Sequence, residues 1–508
     1  MLSLKIAWRN IYRHKGKSLV IGVILFLGAW IMTVGNGIIS GLNEGLKENI
    51  VNRFTGDIVL ISDKQVKKDV LFPMMGESIE VISGYPAIKD VLTQQPYVDK
   101  FLPAAQGAAM VLSDAGEPDL YFLLGVDFAQ YQKMFDNVET VEGRLLKPGE
   151  RGLLLTTVNR KMLYDYLTNY WVIPENCTLA TANLTPEAKA NIQRLQVRDK
   201  LVFMGFSDKN TTLDILSPVK GVIKYKSFNK FWGFFNIIDL ESFRECFGYV
   251  TAADSSAQVD DEKKALLAMD ESNLEGSFSM DGLVSEMKTD DSIFDSSSIQ
   301  KETEKQQIAI DTDKGSFNLV YIKLKPGVPL DVAVKKLNKA LNDAHVNVQA
   351  ITWKQGLGQI ADMAMLMKGA LFVFVTFIFF VAIIVIMNTL SMAALERIPE
   401  IGMMRAVGAK KSFISSMFLY ETAMLSFVFG GIGIISGIVT VKILALMNIT
   451  TANEMLQLFF GGDKFQPLLS MSDIILGIVQ LAVVTLIATI YPMIVARRIT
   501  PLEAIARD

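Results

Sequence analysis

The side chains best placed to do chemistry are crowded into residues 391–425, SMAALERIPEIGMMRAVGAKKSFISSMFLYETAML. Glu396, Arg397, Glu400, Arg405, Lys410 and Lys411 lie there with Gly402 and Gly408 among them, between two long apolar runs. Charges of both signs at short spacing serve ionic recognition, and glycines allow a second backbone to come close. A central charge in hydrocarbon costs at least ~2.5–3.5 kcal/mol, so the segment is expected to be a short loop at a membrane face. Its excess of Arg and Lys assigns that face to the cytoplasm. Catalysis has no comparable cluster. The chain has two His and two Cys, and His14 and His345 stand far apart in sequence, so a His/Cys metal site is not expected. No Ser/His/Asp or Cys/His constellation falls on one side of the membrane. GKS at 16–18 lacks the Gly that a phosphate-binding loop needs five residues before Gly16, where Ile11 stands. An enzyme is therefore not expected, nor a nucleotide site in this chain.

Composition frames that segment. The chain has 508 residues, half of them hydrophobic, with a mean hydropathy of +0.32. That is too apolar for an ordinary soluble enzyme and too charged for a fully buried transporter; it predicts a few spans plus a sizeable soluble domain. The formal net charge of −3 offers no global basic surface for nucleic acid.

Four stretches are long enough to cross ~30 Å of hydrocarbon, which takes about 20 helical residues. They are 18–40, 368–392, 413–445 and 472–495. The third exceeds one span and is expected to extend or bend. Residues 1–17 carry Lys5, Arg9, Arg13, Lys15 and Lys17 among apolar residues, which predicts an amphipathic helix on the inner leaflet. The apolar run behind them is longer than a signal peptide's and lacks a small-residue cleavage site, so it is read as a retained anchor. Arg and Lys place the N-terminus, the 393–412 loop and the 496–508 tail inside, and the 446–471 loop outside. Residues 41–367 are then one extracytoplasmic domain.

The order of residues in the loop says more than its charge. ER-x-x-EIG-x-x-RA-x-GA resembles the signature of the FtsX-like ABC transporter permeases, the family of the lipoprotein-releasing permeases, the macrolide exporter and the cell-division permease. The resemblance extends to IAWRNIYRHKGKS near the N-terminus and to Pro492, Ala496, Pro501, Glu503, Ala504 and Arg507 at the other end. It implies a membrane α-helical fold of four transmembrane helices, with a large α+β extracytoplasmic domain, a MacB-like periplasmic core, inserted between helices 1 and 2. It also implies cytoplasmic ABC ATPase subunits as partners, with ATP and Mg on them and no cofactor in this chain. A second permease copy or paralogue completes a dimer, and a periplasmic carrier or adaptor is a further partner. The setting is the bacterial inner membrane.

Inside 41–367, the helical stretches 41–60 and 350–367 read as continuations of the spans, a stalk when paired; the run Met363, Met365, Met367 reads as a packing seam. A strand–helix–strand at 56–105 and another at 316–353 are expected to fold together as a split α+β module, with a β-rich middle as a second module. Residues 251–315, rich in Ser, Asp and Glu with net charge about −10, read as a disordered insertion. Segment 158–197 looks helical in part. FNKFWGFFN (228–236) is read as core aromatics, with an exposed apolar contact as the sharper alternative. Cys177 and Cys246 leave a disulfide and two free thiols equally open.

Asn388 and Glu421 are polar at membrane depth: either path markers, or an interhelical bond for Asn388 and a place near the inner face for Glu421. Gly433-x-x-x-Gly437 permits close helix packing, between subunits or within the chain.

The family resemblance casts a helix at about 398–411 as the element that docks in the ATPase. Glu396, Arg397, Glu400 and Arg405 set its charge complementarity, and Gly402 and Gly408 its close backbone approach. ATP-driven motion would then reach the outer domain by mechanotransmission. The span from Leu19 to Ile39 has no charge, and the spans offer no polar stripe for a water-filled pore. Lipoprotein release is the favoured function, ahead of export of a peptide or amphiphile with an adaptor, and of signalling to a cell-wall hydrolase.

Overall fold

The computed structural model describes residues 9, 12–13, 15–71, 78–112, 118–166, 170–181, 184–206, 211–256, 310–451, 453, 456–457, 460, 462 and 464–498. Most of the acidic stretch 251–315 (residues 257–309), most of the N-terminal amphipathic segment and the tail from Ile499, with Pro501, Glu503, Ala504 and Arg507, lie outside the described residues; the ends of the acidic stretch are ordered, with Ala252–Ser256 helical and the Asp311 carbonyl accepting from Arg244 Nη1 at 3.1 Å. The chain divides into two compact units, Met1–Asn49 with Ile360–Asp508, and Ile50–Gln359.

Along the chain, α1 (Lys15–Leu46) runs into a π-helical segment, Lys47–Thr55, whose last residues belong to the second unit. That unit then contributes β1 (Ile58–Ser62), α2 (Tyr85–Thr93), β2 (Val98–Leu112) and β3 (Pro118–Val126). Next come β4 (Val138–Gly143), β5 (Leu153–Thr156), β6 (Tyr170–Val172), β7 (Gln196–Arg198), β8 (Lys200–Phe206), β9 (Thr212–Tyr225) and β10 (Phe235–Asp239). The unit closes with α3 (Leu240–Phe247), β11 (Leu319–Leu324), α4 (Leu330–Asp343) and β12 (Val348–Thr352).

The two strand–helix–strand segments do fold together. Their sheet order is β12-β1-β11-β2 with every neighbour antiparallel, the split βαβ arrangement of ferredoxin-like modules. Leu337 and Leu341 of α4 and Ile88 and Leu92 of α2 share one core with Ile58, Leu60, Val320 and Ile322 of the sheet. The middle is a barrel. β2 pairs with β3, β3 with β10, β10 with β5, β5 with β9 and β9 with β8, and β8 returns to β2 at Met204 opposite Met110. Closure removes the open edges that would invite stray pairing. What reads as two strands, 98–105 and 108–112, is the single strand β2: its first half completes the ferredoxin-like sheet and its second half lines the barrel.

The aromatic run packs inward as expected: Phe228, Trp232 and Phe235 are buried and Phe234 is exposed. Both cysteines are free. Cys177 is on the surface and Cys246 is buried inside the barrel core, so the two thiols stay separate and the disulfide alternative falls away. Burial pushes the Cys246 thiol up to about 12.

The other unit holds α5 (Gln359–Glu396), α6 (Ile398–Ala406), α7 (Lys411–Leu425), α8 (Gly431–Leu446) and α9 (Met471–Arg498) with α1. Among the described residues four helical runs are long and apolar enough to cross a membrane: Ser18–Thr55, Gly369–Glu396, Lys411–Leu446 and Met471–Arg497. The third is α7 and α8 joined by a π-helical segment, Ser426–Gly430, which accounts for its extra length. Ile21, Leu25, Met32, Ile386, Leu425 and Val484 form the apolar centre of the bundle. Polar pairs tie it together: Trp30 Nε1 donates to Thr440 Oγ1 at 3.0 Å and Asn36 Nδ2 to Gln480 Oε1 at 3.0 Å. Met363 and Met365 are exposed rather than seated in a seam of this chain.

Candidate functional site

The charged loop is a tight helix–helix–helix connection. α5 ends at Glu396, and Arg397 alone separates it from α6. Pro399 sits in the first turn of α6, where its missing N–H is no loss, and Glu400 stands there too, at the end of the helix dipole that favours an acid. α6 stops after nine residues because Gly408 takes φ +103°, and the Ala409 N–H turns back to the Met404 carbonyl at 2.9 Å. Ile398 and Ile401 press on Ile414, Met417 and Phe418 of α7, on Ala394 of α5 and on Ala496 of α9. Arg497 Nε donates to Ser415 Oγ at 2.6 Å on the same block.

The expected docking residues therefore separate. Glu396 is exposed, while Glu400 and Arg405 are half-buried; Glu400 meets Arg13 at 3.6 Å, a surface pair worth ~0–1 kcal/mol. Arg397 is elsewhere. Its side chain is 7% exposed, and its Nη1 donates to both carboxylate oxygens of Glu421 at 2.8 Å, with Glu421 9% exposed. A guanidinium sequestered in this way offers no charge to a docking partner, so Arg397 leaves the surface set and joins Glu421 inside the bundle. Gly402 is buried within the chain. A Cβ on Gly408 would meet nothing within 4 Å, so that glycine is needed for its positive φ rather than for room.

Sequence reasoning missed the apolar part of the exposed face. Met403 of α6 and Val407, the residue that caps it four positions on, are 64% and 91% exposed. Beside them an open cleft of about 720 Å³ is lined by Val407, Gly408, Ala409, Lys410, Ser412, Phe413 and Ser416. The i, i+4 spacing was the available signal.

Gly433 and Gly437 lie against α1 of the same chain. A Cβ on Gly433 would come 2.5 Å from the Phe26 carbonyl oxygen, and one on Gly437 2.6 Å from Thr33 Cβ. On another side of α1, Trp30, Ile31, Val34, Gly35, Ile38 and Ile39 line an apolar groove of about 200 Å³ with Leu371, Phe374, Val375 and Ile378 of α5.

A second feature was hidden from the sequence. In the Ile50–Gln359 unit, the last turn of the π-helical segment ends in a socket. Lys323 Nζ, extended over the Phe135 ring, donates to the Asn52 and Met134 carbonyls, both at 2.6 Å. Asn137 Nδ2 donates to the Arg53 carbonyl at 2.7 Å. Phe54 stacks on Trp232 with ring centroids 4.2 Å apart, and Gly56 at φ +66° lies so close to the Ile322 carbonyl that a Cβ would be 2.5 Å from its oxygen. A cation and an amide thus satisfy the carbonyls a helix end leaves unpaired.

Among the described residues no cluster of three or more His, Cys, Asp or Glu is arranged to hold a metal.

Residues 372–501 match the family model described as FtsX-like permease C-terminal. The chain is 24% identical over 193 residues to the probable syringafactin export ATP-binding/permease protein SyfD of Pseudomonas syringae, covering 37% of this chain and 27% of that protein. It is 25% identical over 138 residues to the uncharacterized ABC transporter permease MJ1507 of Methanocaldococcus jannaschii, covering 26% of this chain and 34% of that one. The chain thus spans about a third or less of the length of these relatives. Among solved structures, the periplasmic region of MacB from Actinobacillus actinomycetemcomitans aligns with 60% of this chain and 93% of its own at 11% identity, with a TM-score of 0.27. The likeness therefore rests on the C-terminal membrane region, where residues 372–501 match the FtsX-like permease domain, and the relatives that the chain matches include an ABC transporter permease.

Proposed function

We propose that this chain is the membrane subunit of an ABC transporter in the bacterial inner membrane, driven by a separate cytoplasmic ATPase, and that it releases lipoproteins from that membrane. ATP and Mg belong to the partner, and the chain itself is not catalytic. On this reading the N-terminus, the α5–α7 connection and the C-terminal tail face the cytoplasm, and the Ile50–Gln359 unit lies outside as an insertion between the first and second spans. The ATPase receives α6 through Met403 and Val407, framed by Glu396, Glu400 and Arg405. Motion then passes outward along the spans, and the permease works as a pair, with itself or with a paralogue.

The observation that carries the substrate class is the α1–α5 groove, apolar throughout and lined on one side by the charge-free first span. An acyl chain entering sideways gains ~0.8 kcal/mol per buried CH₂. A folded peptide finds no polar partner there. Mass spectrometry of the complex purified with its ATPase tests this. The expected result is enrichment of acylated lipoproteins, lost on addition of ATP with a soluble carrier. Recovery of an adaptor and a peptide or amphiphile instead would replace lipoprotein release with export, the reading that the name of the syringafactin relative favours.

A further inference from the structure

We infer that Arg397 and Glu421 form a buried latch that makes α6 and the lower part of the third span move as one body, with the π-helical segment Ser426–Gly430 as the joint above it. The inference deepens the proposed coupling of α6 to an ATPase and rests on that reading for its driving force.

The geometry is specific. Arg397 is the only residue between α5 and α6, so its backbone links the two helices directly. Its guanidinium does not reach solvent but turns onto α7 and holds both oxygens of Glu421 at 2.8 Å. The same face of α7 presents Ile414, Met417 and Phe418 to Ile398 and Ile401. Apolar contacts alone allow one helix to slide on another, because each is weak and non-directional. A desolvated ion pair does not allow it, since sliding leaves two unpaired charges in a low dielectric, the costliest arrangement available there. An apolar pair would pack this site at no desolvation cost. The attested use of such a buried pair is to fix register or to act as a switch.

Above Glu421 the helix changes character within two turns. Ser426–Gly430 is π-helical, a form found mostly as single-turn bulges and often at functional sites. Both ends of this segment rest on α9: Thr485 Oγ1 lies 2.7 Å from Ser426 Oγ, and a Cβ on Gly430 would strike Leu481 at 2.6 Å. The latched block lies below the joint, and the helix packed on α1 through Gly433 and Gly437 lies above it.

The test uses the full chain with its ATPase in detergent or liposomes, spin-labelled in pairs at exposed Ala406 of α6, half-exposed Ser416 of α7 and exposed Ile443 of α8. Three versions are compared: the natural pair, the apolar R397M/E421L and the reversed R397E/E421R. With the natural pair, ATP and vanadate should leave the 406–416 distance unchanged and shift the 406–443 distance. In R397M/E421L the pattern should invert, with the nucleotide-free 406–416 distribution broadened about twofold and hydrolysis kept within about twofold. R397E/E421R should restore the natural pattern at least in part. An R397M/E421L distribution as narrow as the natural one, with the 406–443 shift intact, would mean that the pair only packs, and the latch is overturned. If ATP moves neither distance in the natural protein, the coupling reading fails. The latch is then judged on the nucleotide-free widths alone, which need no ATPase.

Discussion

The protein finishes two helical runs in opposite ways. The π-helical segment Lys47–Thr55 ends in the interior of the sheet unit, its carbonyls taken by Lys323 and Asn137 and its Phe54 stacked on Trp232. α6 ends in the open at Gly408, with Val407 almost wholly exposed beside it. Both must satisfy the carbonyls that every helix end leaves unpaired. The first does so with fixed interior donors inside the sheet unit. The second does so with a glycine turn and leaves its outer face exposed. A held end and an open end differ in where their polar groups find partners.

The largest expected effect is at the socket. Lys323→Met removes the donor from two carbonyls, each costing ~1–3 kcal/mol when left unsatisfied, and also removes the cation at a helix C-terminus, worth ~0.3–2 kcal/mol. A loss of ~3–5 kcal/mol is expected, read as earlier thermal unfolding of the sheet unit by Trp fluorescence. A melting curve superimposable on the natural one would show that the socket adds nothing to the stability of the sheet unit. The bundle supplies an intermediate case. Gly433→Ala places a Cβ against the Phe26 carbonyl, and overpacking of this kind costs ~1–3 kcal/mol. Thermal aggregation in detergent should begin at a lower temperature, and an unshifted onset would mean that α1 and α8 part freely.

Which of these features the sequence reveals follows from how local their causes are. The spans are legible because hydrocarbon thickness demands an unbroken apolar run within one segment. The ferredoxin-like module is legible because each half repeats a strand–helix–strand pattern within a few dozen residues. The barrel closure is not, since β8 meets β2 across most of a hundred residues and nothing in either strand names the other. Arg397 misled for a related reason. Charge marks a residue as exposed by default, and the partner that lets it be buried, Glu421, lies 24 residues away on the next helix. Lys323 reads as an ordinary strand residue for the same cause. Gly408 reads correctly as special but for the wrong property, because only the backbone angle separates a need for room from a need for positive φ.

At the open end the effects on stability should shrink. Gly408→Ala forces a Cβ into the left-handed region at ~1–2 kcal/mol and should fray the last turn of α6. Hydrogen exchange at Val407 and Ala409 should rise while the rest of the bundle keeps its protection; unchanged exchange would mean that the turn tolerates a Cβ.

The sharpest contrast with the socket is the change expected to cost least. In E400Q/R405Q the glutamate keeps its size, the arginine becomes a shorter polar side chain, and both lose their charge. Surface pairs are worth ~0–1 kcal/mol, so the melting curve should move by less than Gly408→Ala moves it. If α6 is the face that meets an ATPase, function should respond out of proportion to stability. The double variant should still assemble and hydrolyse ATP, while release per ATP falls about tenfold, the scale of a coupling free energy of 1–3 kcal/mol. Release at the natural rate would remove these charges from the coupling face and leave Met403 and Val407 to carry it by apolar contact. A large drop in melting temperature would instead show that the open end, like the socket, is built for holding.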